Sequence, residues 1–127
     1  MSSPCTRIAL IATAMLSLGA STAVQAAPQK FTFRNLEFGS RDKRVPRAQA
    51  YVARTMAPGT SMASAIDAAK NAGARCAEPA DGSVLCTANF MQHRSGEGMS
   101  DIQWRVRLVA SPDGQSVARS SVRRSTN

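Results

Sequence analysis

Residues 59–90, GTSMASAIDAAKNAGARCAEPADGSVLCTANF, hold a helix signal and a hairpin signal back to back. Ser61, with Thr60 as its alternative, is placed to cap a helix, its hydroxyl accepting from an orphan N–H of the first turn. Met62, Ala65, Ile66, Ala69 and Ala72 recur at three- and four-residue steps and form one apolar stripe. Ser64, Asp67, Lys70 and Asn71 occupy the other side. Gly73 falls where a left-handed residue ends a helix. The stripe is mostly small side chains, so this helix is expected to lie close against its neighbour. Tertiary packing, more than propensity, holds a helix this short.

The hairpin follows at once. Cys76 and Cys86 lie symmetrically about Asp81. A three-residue turn through Ala80-Asp81-Gly82 would set them directly opposite, with Cα atoms roughly 4.5–5.5 Å apart, a span that a disulfide bridges. Such a bridge contributes on the order of 3 kcal/mol in the chain-entropy model, a large share of a small domain's stability. Two free thiols would instead require a reducing compartment.

The N-terminus argues against that compartment. Arg7 is the only charge before an uncharged run, Ile8 to Ala20, and Val24-Gln25-Ala26 offers small residues at the −3 and −1 positions of a cleavage site. The pattern predicts a signal peptide over residues 1–26, too short in its apolar core for a membrane span, cleaved near Ala26. Cys5 precedes the apolar run and leaves with it. The expected location is periplasmic or secreted, with two cysteines in an oxidising compartment and no transmembrane segment in the mature chain.

Of the 127 residues, about 100 then remain, enough for one small domain. Cleavage removes one cation, Arg7, and no acid, so the formal charge falls from +8 to +7. Outside the inner membrane the anionic partners for such a chain are lipid phosphates, cell-wall acids or acidic protein surfaces, and nucleic acid is not expected.

Residues 27–45 are expected to be an extended segment and a basic turn. Phe31 and Phe33 alternate with polar neighbours like an edge strand, and Gly39 to Arg44 reads as a solvated loop. Pro46 suits the first turn of a helix carrying Tyr51, Val52, Thr55 and Met56, which Pro58-Gly59 ends. After Cys86 the alternation is clean. Val84, Cys86, Ala88 and Phe90 share one side of a strand, and residues 93–100 read as a long hairpin loop. Ile102, Trp104, Val106, Leu108 and Ala110 point one way from the next strand, while Gln103, Arg105 and Arg107 point the other. Pro112-Asp113-Gly114 is a turn, and Ala118, Ser120 and Val122 continue the inner face. The class is α+β: two short helices on one face of a three- to four-stranded antiparallel meander, in a single domain over residues 46–127.

From Pro58 to Arg124 the pattern of Gly59-Thr60-Ser61, helix, Ala72-Gly73, Cys76, Cys86 and a Trp-bearing strand resembles the BamE/SmpA outer-membrane lipoprotein module. It also resembles a single repeat of the β-lactamase-inhibitory protein. The resemblance implies a helix–helix–sheet fold and a binding role. In the inhibitor an acidic residue in the loop after the second cysteine enters the target's site. Glu97 is the loose match here, and a solvated loop charge is the plainer reading. This chain has one such module and no lipobox.

Enzyme chemistry finds few parts. His93 is the only histidine, with no cysteine, carboxylate or second histidine fixed beside it. No phosphate loop, nucleophile elbow or helical carboxylate pair occurs. Asp81 and Asp113 are explained by turn chemistry, and Trp104 by core packing. No catalytic residue, metal or cofactor is expected. The candidate binding face is Arg105, Arg107, Arg119 and Arg123, with Arg107 opposite Arg119. That patch reads either as a basic face that keeps the domain soluble or as one that captures an anionic partner. The expected activity is that of a non-enzymatic envelope module docking on another protein. The alternative is a module for anionic polymer or lipid headgroups.

Overall fold

The computed structural model describes residues 30–94, 96 and 98–127, so the expected signal peptide and Glu97 lie outside the described residues. Three helices, α1 (Phe33–Glu37), α2 (Arg41–Thr55) and α3 (Met62–Asn71), precede four strands, β1 (Arg75–Cys76), β2 (Ser83–Arg94), β3 (Gly98–Ala110) and β4 (Val117–Thr126). The strands form one antiparallel sheet in the order β1-β2-β3-β4, a meander. The helices cover one face of it.

α3 forms as its residues predict. Ser61 Oγ accepts from Ser64 N, and Gly73 follows the last turn at φ +95°, in the left-handed region. Ala65, Ala69 and Ala72 are fully buried, so the small-residue stripe does bring this helix close to the sheet. Even-numbered residues of β2 and β3 face it: Val84, Cys86, Ala88, Ile102, Trp104, Val106 and Leu108 all enter the core.

The N-terminal part differs from the expectation. Phe31 and Phe33 do not make an edge strand. Thr32 Oγ1 caps α1 by accepting from Asn35 N, and Phe33 N donates to Ala72 O at 3.0 Å. Phe33, Leu36 and Glu37 then share one buried face at helical spacing. Residues 41–45 are not a solvated loop either. α2 starts at Arg41, with Asp42 favourably placed in its first turn, and Pro46 lies inside the helix. Arg44 explains the early start, because its guanidinium donates to the carbonyls of Leu36 (3.2 Å), Glu37 (2.6 Å) and Gly39 (3.4 Å) and so closes the end of α1. Tyr51 joins α2 to α3 through its hydroxyl, which donates to Ala68 O, and its ring stacks on Phe31 at 4.0 Å between centroids.

Beneath these helices lies a polar cluster that the core is built around. Glu37 is 6% exposed, and its Oε1 accepts from Trp104 Nε1 (2.8 Å) and Arg124 Nε (2.9 Å). Arg124 Nη2 donates to Oε2 at 2.8 Å, and Arg44 Nη1 lies 3.4 Å from the same oxygen. Burial pushes the Glu37 carboxyl up. The hydrogen bonds from Arg124 and Trp104, with the attraction of Arg124 and Arg44, more than offset that and hold it below its ordinary 4.5.

The hairpin between β1 and β2 places Cys76 opposite Cys86 and joins them, with Cα atoms 3.9 Å apart. Its turn is two residues, not three. Asp81 and Gly82, at φ +52° and +72°, are flanked by mutual hydrogen bonds between Ala80 and Ser83. Ala77 N bonds to Leu85 O, so Glu78 and Pro79 together face Val84, and that extra residue restores the cysteine register. Between β2 and β3 the strands run on to Arg94 and from Gly98, replacing the long loop expected over 93–100.

At the β3–β4 turn Ser111 N bonds to Ser116 O, and Asp113 Oδ1 accepts from Gln115 N. Ala110 pairs with Val117 but Val109 with Arg119, which leaves Ala118 as an extra residue in a β-bulge. Val117, not Ala118, takes the core position, at 2% exposure. The expected pairing of Arg107 with Arg119 is therefore replaced: Arg107 lies opposite Ser121, and Arg105 opposite Arg123.

Two outcomes test this fold. Cys86→Ser should destabilise the protein by about 3 kcal/mol in denaturant unfolding, and reducing agent should do the same to wild type while leaving the variant unchanged. Glu37→Gln should cost about 3 kcal/mol, because Arg124 and Arg44 lose their counter-charge in a buried site. Since the folded-state pKa of Glu37 lies below the unfolded value, its contribution is present above pH 4.5 and lost as pH falls through the folded pKa. Unfolding measured against pH should show that acid loss in wild type and a flatter acid limb in Glu37→Gln.

Candidate basic binding face

The side of the sheet away from the helices carries the odd-numbered residues of β2 and β3 and, beyond the bulge, the odd-numbered residues of β4. No helix packs there among the described residues. All four arginines expected on this side are there and exposed: Arg105 and Arg107 on β3, Arg119 and Arg123 on β4. The sheet brings in a fifth that sequence reading missed. Arg75 on β1 pairs with Thr87, which pairs with Arg105, which pairs with Arg123, so one transverse row crosses all four strands.

Neighbouring strands stand roughly 4.8 Å apart, and same-side residues along a strand roughly 6.8 Å apart, which sets the spacing of the backbone positions from which these arginines project. Arg105, Arg107 and Arg123, with Ser83, Leu85 and Ser121, line an open groove of about 480 Å³. Arg107 and Arg119 share the next, of about 270 Å³. Leu85, 43% exposed, stands opposite Arg107, and Val109 lines the groove between Arg107 and Arg119, so the patch includes two apolar residues. Among the described residues both ion pairs belong to Glu37, so none of these five cations is neutralised by a carboxylate. Among the described residues the one acid on this face of the strands is Asp101, opposite Met91, two rows beyond Arg105. Arg105 Nε instead donates to Gln103 Oε1 at 2.6 Å.

The chemistry of such a surface suits the binding and orienting of anions. A guanidinium offers a planar fork of donors to carboxylate or phosphate and stays charged, so it does not act as a general base or nucleophile at neutral pH. Two arginines directly opposed on a sheet cost some tenths of a kcal/mol. His93, on the same face, is exposed, and no cluster of three metal-ligating side chains occurs among the described residues. A second concavity, about 370 Å³, lies on the helix side at the far end of the β2–β3 hairpin, between Arg34, Phe38, Phe90 and Ile102. No helix among the described residues is long and apolar enough to cross a membrane. Comparisons with protein-family models, with curated proteins and with solved structures find no match for this chain.

Sequence reading missed Glu37 as a buried group and Arg44 and Arg124 as its half-buried partners. For Arg124 a signal existed: it shares parity with Val122 on β4, the side that the sequence assigned to the core.

Proposed function

We propose that the chain is an exported, non-enzymatic binding module of the cell envelope, which docks through its open sheet face on an acidic surface of another protein. One observation carries this reading: five arginines without carboxylate partners are gathered on one uncovered face. Stability alone would not choose that arrangement, since opposed Arg105 and Arg123 repel. The composition of the patch fits a protein interface. Its cations are all arginine, which interfaces enrich, with no lysine, which they deplete, and Leu85 gives it an apolar centre. Export rests on the N-terminal pattern together with the Cys76–Cys86 bridge. The resemblance of residues 58–124 to the BamE/SmpA module and to the inhibitor repeat belongs to the same proposal, as does an inhibitor-like contact by Glu97.

A second reading, capture of anionic polymer or lipid headgroups, is favoured by the open grooves between these arginines. Salt separates the two. Retention on envelope extract should weaken only moderately between low and physiological ionic strength if the partner is a protein, and collapse if it is a polyanion.

The face itself is tested by the double variant Arg105→Gln with Arg123→Gln. It should be as stable as wild type, or some tenths of a kcal/mol more stable, and should lose retention on envelope material. Unchanged retention, or a clear loss of stability, would count against a binding role.

A further inference from the structure

We propose that this chain pairs with a second copy of itself along the free edge of β2, through Asn89–His93. β1 is two residues long and its pairing stops at Arg75 and Thr87, whereas β2 runs on to Arg94. Leu85 O accepts from Ala77 N on the β1 side, so by the two-residue period the N–H and C=O of Asn89, Met91 and His93 point to that side too. No strand, turn or loop backbone among the described residues bonds to them there.

Natural sheets protect exposed edges with charge, and the other edge of this sheet obeys that rule. β4 carries Arg119 and Arg123, both exposed. Residues 89–93, Asn-Phe-Met-Gln-His, carry no fixed charge. For a chain of net charge +8, this is the edge at which a like-charged copy can approach. An acidic partner would be better served by the arginines elsewhere. Apolar side chains flank this edge, with Arg34 the one cation lining the cleft beside it among the described residues. Met91 is 65% exposed and Met99 56% on the outer face, and Phe38 is 77% exposed beside the cleft on the inner face.

A two-fold axis at Met91 satisfies both copies alike. Met91 of one copy would exchange backbone hydrogen bonds with Met91 of the other, and Asn89 with His93, in an ordinary antiparallel ladder. The axis stands perpendicular to the sheet, so both arginine faces look the same way. The pair would present them as one continuous surface, doubling the contacts open to a multivalent anionic partner.

Sedimentation equilibrium of the oxidised protein over a dilution series tests the association alone, independent of what the arginines bind. Wild type is expected to pass from monomer to twice the monomer mass as concentration rises. Met91→Pro should raise the dissociation constant by at least about tenfold. The Met91 N–H points to the free edge, so proline there removes a donor from the dimer and none from the β2–β3 ladder. Asn89→Lys, which adds a charge to the edge, should weaken association similarly and serves if the proline variant does not fold. Ser125→Lys, which adds a charge on the opposite edge, should leave it unchanged. A wild type that remains monomeric throughout overturns the proposal. So does a dimer that the folded β2-edge variants leave intact, or that only the β4 variant alters.

Discussion

The carboxylate of Glu37 is the point at which four elements meet. It ends α1, takes the indole N–H of β3, the guanidinium of β4, and the charge of Arg44 from α2. None of these groups tolerates being buried alone. An indole N–H without an acceptor, or a carboxylate without donors, costs kilocalories in an apolar interior. Each therefore requires the others, and the cluster selects one packing of helices on sheet. α1, at five residues, is far below the length at which a helix stands alone. It persists because Arg44 takes its terminal carbonyls and Phe33 packs on Trp104 at 5.5 Å between ring centroids.

At the other end of the sheet a covalent constraint plays the matching part. β1 is too short to hold by its ladder, and the bridge from Cys76 to the fully buried Cys86 fixes it. Nearby, Gly59 N donates to Val117 O and Val117 N to Thr60 O, which ties the α2–α3 connection to the start of β4. Gly59 meets that geometry at φ +92°, where a Cβ would be strained. Arginine thus has two environments in this molecule. Arg44 and Arg124 are turned inward onto a carboxylate, while Arg75, Arg105, Arg107, Arg119 and Arg123 face solvent without one.

What was legible in the sequence had a local cause. α3 carries its cap, its stripe and its stop within a dozen residues, and β3 alternates from Ile102 to Leu108. The cysteine pairing was right although the turn was not, because a two-residue turn plus one extra residue gives the same register as a three-residue turn. What was not legible had a distant cause. Phe31 and Phe33 alternate as well for a strand as for anything else, and helix wins through the Ala72 carbonyl and the core beneath Trp104. The basic run from Arg41 to Arg44 looks solvated until Glu37 is seen to be buried beside it. The five-arginine face was four-fifths visible, and Arg75 joined it only through cross-strand register.

The bulge at Ala118 connects the inner lock to the outer face. A strand's side chains alternate with period two, so a slip of one residue turns every one of them over. The turn sets Ala110 against Val117, and continuing that register through Ala118 without a bulge would set Trp104 beside Arg123 and send Arg124 and Val122 to the solvent side. The single added residue reverses this. It turns Arg124 inward, where it bonds to Glu37 and lies 6.0 Å over the Trp104 ring, and it turns Arg119 and Arg123 outward beside Arg107 and Arg105. One irregularity in the ladder therefore decides both which arginine stabilises the core and which remain free to meet an anion. Deleting Ala118 should leave both intact, because Val117 and Arg119 would then face Ala110 and Val109 in one unbroken ladder, whereas a slip that paired Ala118 with Val109 would take the guanidinium from Glu37 and turn the arginine face over together. Fold and face are fixed by the same bulge.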